Sequence, residues 1–290
     1  MNSERDDADE RLFLDGDFEM TSPAISPDQQ KLLVVEKSPP KAAKVYLNVY
    51  QTVENTEAKA KFEQRNKTIL EQDPLDIVDN PPPVFNKKRL HRLDQINGKG
   101  ILYPRWRSND EILYIANTQD KEGHLHKDLF SWQLTTDSIT QLSRGMNLRR
   151  FDVSADGKTL IAERNHLGKS SLVRFDLTQP VSIANMVTVI DGGYESSFDF
   201  PKFSPTDETQ LAYLTKQADT PWQLKLMWLS GGQTSTLPMP DQYQFLSYVQ
   251  WSNTGDALYF VAGIKDSLMV YRYDLNTMQL WQVTGGERPI

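Results

Sequence analysis

Val153-Ser154-Ala155-Asp156-Gly157-Lys158-Thr159-Leu160-Ile161-Ala162 is the stretch that decides the fold. An apolar residue leads into a Ser-x-Asp-Gly turn, and apolar residues return seven and nine places after it. Asp bonds the backbone of its own turn and Gly accepts a positive φ, so the segment reads as a hairpin joining two strands. Four further copies follow the same grammar. They are Ile25-Ser26-Pro27-Asp28 with Leu32 and Val34, Trp106-Arg107-Ser108-Asn109 with Leu113 and Ile115, Phe203-Ser204-Pro205-Thr206 with Leu211 and Tyr213, and Trp251-Ser252-Asn253-Thr254-Gly255 with Leu258 and Phe260. The copy at Phe203 is one residue longer, and the one at Trp106 lacks the consensus turn residues.

The anchors at 106, 153, 203 and 251 lie 47, 50 and 48 residues apart. Such a period is that of propeller blades of about 40 to 50 residues. Working outward from each turn, a second landmark is an alternating segment rich in β-branched and aromatic residues that ends at Val49, Leu134, Leu177, Leu229 or Leu275. It reads as the third strand. Turn residues and a short fourth strand follow, ending at Gln141-Leu142-Ser143, Thr236-Leu237 and Gln282-Val283-Thr284. Each repeat is therefore predicted to be a four-stranded antiparallel meander with two apolar faces, which must stack on neighbours to be buried. The aromatic anchors Trp106, Phe203 and Trp251 are the expected contacts between blades.

One β-propeller domain over 1–290 is expected, with blades anchored near 25, 106, 153, 203 and 251. Leu12-Phe13-Leu14 precedes the first anchor as Leu142 precedes Val153, and reads as an orphan fourth strand. Five complete blades plus that strand point to a six-bladed ring, with the natural protein expected to continue past Ile290. The interval from Ile25 to Trp106 is 81 residues, about 33 longer than the others. Residues 54–84 are read as an insertion within the first blade: helix formers from Asn55 to Gln72, with Ala58, Phe62 and Ile69 on one face, then Pro81-Pro82-Pro83 as an extended spacer. Arg89-Leu90-His91-Arg92-Leu93 then supplies the displaced fourth strand. A degenerate extra blade is the alternative for this stretch, though no turn motif marks it. The helix reads either as a partner-docking element or as surface decoration.

A formal charge of −7 with no clustered basic face argues against nucleic acid and anionic membranes as partners. The acidic start, Glu4 to Glu10, reads as a solvated tail. No cysteine is present, which excludes disulfides and thiolate chemistry. The first residues lack the apolar core of a signal peptide, and no run reaches the roughly 18 apolar residues of a membrane span.

No catalytic constellation is legible. Neither Gly-x-Ser-x-Gly nor His-Glu-x-x-His occurs, and Gly192-Gly193 and Gly231-Gly232 lack the strand-to-helix context of a phosphate loop. His124 and His126 alternate in a loop but supply only two ligands, while His91 and His166 stand apart, so no metal site and no cofactor is expected. Asp28, Asp156 and Asp256 lie in or beside successive turns and read as turn formers, not as paired acids. The remaining candidate is the mouth of the central channel. Arg105, Arg150, Asp152, Asp199, Lys202 and Gln250 stand just before the anchors on the innermost strands. Mixed charge there suits a peptide terminus or a loop; the bland alternative is a hydrated channel wall.

The repeat, as in Val153-Ser154-Ala155-Asp156-Gly157-Lys158-Thr159-Leu160, resembles the TolB-like (WD40-like) β-propeller repeat, also found in the propellers of tricorn protease and of the prolyl oligopeptidase and dipeptidyl peptidase group. The resemblance covers nearly the whole chain except the insertion. It implies a non-catalytic scaffold that binds a protein or peptide, in a bacterial cell-envelope or exported protein, periplasmic in setting and without direct membrane insertion. The alternative it implies is the accessory, gating propeller of a serine peptidase or metallopeptidase whose catalytic domain is absent from this chain. No catalytic residue of those relatives carries over, and a fold shared by so many activities does not choose between the readings.

Overall fold

The structure is a computed structural model, and it describes residues 19–37, 44–72, 82, 85–86, 88–94, 100–240, 243, 245–264 and 267–284. Among these residues the chain forms five four-stranded antiparallel sheets. The first contains β1 (Glu19–Ile25), β2 (Lys31–Lys37), β3 (Val45–Gln51) and β4 (Arg89–Asp94). The second contains β5 (Leu102–Trp106), β6 (Glu111–Gln119), β7 (Leu125–Gln133) and β8 (Ser138–Gln141). The third contains β9 (Leu148–Val153), β10 (Thr159–His166), β11 (Lys169–Asp176) and β12 (Val187–Asp191). The fourth contains β13 (Ser196–Phe203), β14 (Gln210–Gln217), β15 (Gln223–Trp228) and β16 (Gln233–Thr236). The fifth contains β17 (Phe245–Trp251), β18 (Ala257–Ile264), β19 (Ser267–Asp274) and β20 (Gln279–Gln282). Strand order within every sheet follows the chain, as in propeller blades. The segment Leu12-Phe13-Leu14 and the acidic start lie outside the described residues.

Every first strand ends on its anchor: β1 at Ile25, β5 at Trp106, β9 at Val153, β13 at Phe203 and β17 at Trp251. The turn chemistry explains why. In the third blade the Ser154 hydroxyl accepts from the Thr159 amide at 2.9 Å and donates to Asp156 at 2.6 Å, while Asp156 accepts from the Lys158 amide at 2.9 Å. Ser26 with Asp28 repeats the arrangement, whereas in the fifth blade Ser252 accepts from the Ala257 amide and Asp256, four residues on, accepts from the Thr254 and Ser252 hydroxyls. These bonds satisfy turn donors that neither strand can reach, and they hold all three aspartates below the ordinary carboxylate range.

The second strands are buried on both faces. Ile112 to Ala116 and Leu211 to Thr215 are each an unbroken buried run. A strand with no solvent face needs a layer on either side, which neighbouring blades supply. Ile161 and Leu172 of the third blade pack with Phe203, Leu211 and Tyr213 of the fourth. Leu214 and Leu226 of the fourth pack in turn with Trp251, Leu258 and Phe260 of the fifth. The anchor tryptophans also bond across blades. Trp251 Nε1 donates to the Lys202 carbonyl at 3.1 Å, and Trp106 Nε1 to the Ala24 carbonyl at 2.9 Å. Both acceptors stand one residue before the preceding blade's anchor.

Contacts divide the chain into two compact units, 7–110 and 111–290, with the boundary in the turn between β5 and β6. Within the first unit, helix α1 (Thr56–Gln72) leaves the sheet after β3, and the chain returns to it as β4. Ala58, Phe62, Asn66 and Ile69 are its half-buried positions, and no residue of it is fully buried. The divergent turn of the second blade is used laterally in this unit: Asn109 Oδ1 accepts from the Asp28 amide at 3.0 Å, and Lys31 Nζ lies 3.2 Å from Asp110.

The first strands carry a bulge that the turn pattern does not announce. Ser22, Tyr103, Phe200 and Tyr248 each have φ between 46° and 54°, and each stands three residues before its anchor. In β1, β13 and β17 the register shows two residues opposite one at this point. Proline follows in three of the four, at Pro23, Pro104 and Pro201, where the bulge asks for no ladder donor. The third blade places its irregularity differently, with Arg149 and Arg150 opposite Glu163.

Candidate functional site

The first strands of the third and fourth blades bring four of the expected channel-mouth residues together as two ion pairs. Arg150 Nε lies 3.1 Å from Asp199 Oδ1, and Lys202 Nζ lies 3.1 Å from Asp152 Oδ1. Each pair joins β9 to β13. Asp152 also accepts from the Phe203 amide at 3.0 Å, which ties a blade's anchor to its neighbour's carboxylate. Gln250 is exposed on β17. Arg105 belongs to the first unit, where its Nη1 donates to the Pro104 carbonyl at 2.9 Å.

An aromatic shelf stands beside the pairs. The Arg150 guanidinium lies 4.3 Å from the centre of the Phe200 ring, and Phe200 meets Tyr248 at 5.2 Å between centroids. Phe200 is buried, whereas Tyr248 is 65% exposed. Both rings project from the αL bulge residues. A bulky side chain at positive φ costs on the order of 1–3 kcal/mol and persists where surrounding structure enforces it. The bulges thus set an exposed phenol against a buried ring that also meets an arginine, a combination able to stack on a planar or apolar group and bond a peptide backbone.

Behind the shelf lies Glu163 of β10, whose side chain is 2% exposed. Arg149 Nη1 approaches its Oε1 at 3.3 Å, and Asn165 and Ser170 donate to the same oxygen. Its Oε2 is buried without a hydrogen-bond partner. Burial pushes the carboxyl up to about 7, outweighing the attraction of Arg149, and the nearby Asp199 adds to the rise. Asp199 is itself raised by burial against the pull of Arg150. Two carboxyls that resist ionisation therefore share the site with two arginines.

Sequence reasoning missed Arg149, Glu163, Phe200 and Tyr248. The signals were present. Glu163 interrupts the apolar run Leu160-Ile161-Ala162, and Tyr103-Pro104 and Phe200-Pro201 recur at one offset from the anchor. Also missed was Asp120, whose Oδ2 lies 3.0 Å from both His124 Nδ1 and His126 Nε2 in the turn between β6 and β7.

No known family profile matches the chain, and no curated protein matches it either. Solved structures do. The chain is similar to TolB from Acinetobacter baumannii with a TM-score of 0.60 at 12% identity, over 92% of this chain and 55% of that one. The putative TolB from Agrobacterium tumefaciens aligns with a TM-score of 0.60 at 14% identity, over 94% and 83%. The propeller domain of the Trilobed protease from Pyrococcus furiosus aligns with a TM-score of 0.56 at 9% identity, over 93% and 71%. This chain thus spans just over half the length of the Acinetobacter protein. At such identities the likeness establishes the fold, an all-β propeller, and does not assign an activity.

Proposed function

We propose that this chain is a non-catalytic propeller that binds a protein or peptide segment across the first strands of its third to fifth blades. The observation that carries the reading is Tyr248, an exposed aromatic held at positive φ against Phe200, the ring that also meets the Arg150 guanidinium. The positive φ recurs in β1, β5 and β13 as a feature of the first strands; what sets Tyr248 apart is its ring, 65% exposed against the buried Phe200 and open to a ligand. Asp152 and Lys202 neutralise each other and support the floor, while Gln250 offers an amide to a backbone. An exported, periplasmic setting goes with this reading through the resemblance of the repeats to TolB-like propellers. The accessory role beside a peptidase is the second reading, favoured by the likeness to the Trilobed protease propeller; it uses the same surface to admit substrate.

A library of random peptides displayed on phage and selected on the immobilised chain tests the proposal. Selected peptides should bind in solution with micromolar affinity, and Tyr248→Ala should weaken them about tenfold or more, the cost of losing an aromatic contact. Leu167→Ala, at a hairpin tip, should leave them unchanged. Peptides indifferent to Tyr248→Ala would overturn the reading.

A further inference from the structure

The turn between β6 and β7, Asp120-Lys121-Glu122-Gly123-His124, gathers carboxylate and imidazole donors outside the surface described above. Asp120 divides its two oxygens between separate tasks. Its Oδ1 accepts from the amides of Glu122 at 3.0 Å and His124 at 2.8 Å, which clamps the turn. Gly123, at φ 92°, lets the chain double back, and the Gln119 side chain closes the loop onto the Gly123 carbonyl. Its Oδ2 is thereby directed at two imidazoles, 3.0 Å from His124 Nδ1 and 3.0 Å from His126 Nε2. Glu122 brings a second carboxylate, and the ligand atoms of Asp120, Glu122 and His124 all lie within 4.8 Å of one another.

The two Asp120–imidazole separations match those between ligands of one ion. Donors bound at about 2.0–2.2 Å to one ion stand about 2.9–3.5 Å apart, from octahedral to tetrahedral geometry. Both 3.0 Å separations fall in that range. The mount is rigid on one side, since His126 rides on β7 with its side chain only 21% exposed. Two residues on, Asp128 is buried and bonded to Ser143, Thr118 and the amides of Gly145 and Met146. His124 is exposed and free to adjust. Two imidazoles with carboxylates suit a borderline transition ion, whereas Mg²⁺ and Ca²⁺ prefer all-oxygen shells.

We infer that this hairpin is a binding site for one divalent transition-metal ion of the Zn²⁺ class, ligated by Asp120 Oδ2 with its two neighbours His124 Nδ1 and His126 Nε2, the exposed His124 and Glu122 side chains closing toward the fixed His126 on binding. The bound ion pins the hairpin tip. The inference is independent of the peptide-binding proposal.

Titration calorimetry of the full chain with ZnCl₂ and CaCl₂ tests it, with the Co²⁺ visible spectrum as a second reporter of nitrogen and oxygen ligands. One Zn²⁺ per chain should bind with micromolar affinity, with no comparable heat from Ca²⁺. His124→Ala and His126→Ala should each weaken Zn²⁺ about tenfold or more and abolish the Co²⁺ bands, and His91→Ala/His166→Ala should leave both intact. His124→Ala is the decisive variant, because that side chain is exposed and its loss leaves the fold untouched. Absence of saturable binding to the wild type would overturn the inference, as would binding that survives His124→Ala or is lost in the His91/His166 double variant.

Discussion

Replacing Glu163 with glutamine should make the protein more stable at pH 8 and barely change it below pH 4.5. The carboxyl is 2% exposed on a strand buried on both faces, and burial raises it from 4.5 to about 7 even after the attraction of Arg149 has acted. A folded-state value above the unfolded one means that the native state holds the proton longer. Stability from the neutral form is complete below about 4.5 and is lost as pH rises toward 7. At about 1.4 kcal/mol per pH unit, the interval from 4.5 to about 7 corresponds to about 3 kcal/mol. Glutamine keeps an acceptor for Arg149, Asn165 and Ser170 but has no charge to bury. The assay is urea unfolding followed by tryptophan fluorescence, for wild type and Glu163→Gln, from pH 4.5 to 8. The two curves should coincide at the acid end and separate by about 3 kcal/mol in favour of the variant by pH 8. A difference that does not change with pH, or a variant that is the weaker at pH 8, would refute the reasoning.

Three other perturbations follow from the same geometry. Leu167 is 81% exposed at φ 49° in the two-residue turn between His166 and Lys169, with Gly168 beside it at φ 80°; Leu167→Asn supplies the residue such a turn favours and should raise the urea midpoint by the equivalent of about 1 kcal/mol. Ser154→Ala removes both the acceptor for the Thr159 amide and the donor to Asp156. It should cost about 1–3 kcal/mol by the same assay and move the Asp156 carboxyl, followed by NMR, up toward its ordinary range. Trp251→Phe keeps a ring but leaves the buried Lys202 carbonyl without the indole donor, and the midpoint should fall by the equivalent of about 1–3 kcal/mol.

The turns were the legible part of the fold because their chemistry is local. Ser154, Asp156 and Gly157 satisfy backbone groups within five residues, so the pattern that marks them also ends the preceding strand at Val153. The same locality explains why the strand after each turn could be placed from its fixed offset to the anchor. The candidate surface was half legible. Arg150, Asp152, Asp199 and Lys202 were found from their offset before the anchor, but their pairing across β9 and β13 depends on how two blades stack, which no spacing within one repeat encodes. Phe200 and Tyr248 escaped notice because an aromatic before an anchor reads as core; only the bulge turns Tyr248 outward. Glu163 was hidden in a run counted for its apolar members. Asp120 was hidden because it precedes the two histidines by four and six residues, a separation that only the hairpin turn closes.

Hydrogen exchange on the complex with a selected peptide tests the central claim most directly. The claim predicts new protection concentrated in 147–153, 198–203 and 245–251, the first strands that carry Arg150, Phe200 and Tyr248, with little change elsewhere. Protection confined instead to the hairpin tips at 120–124 and 166–169, or to α1, would contradict it.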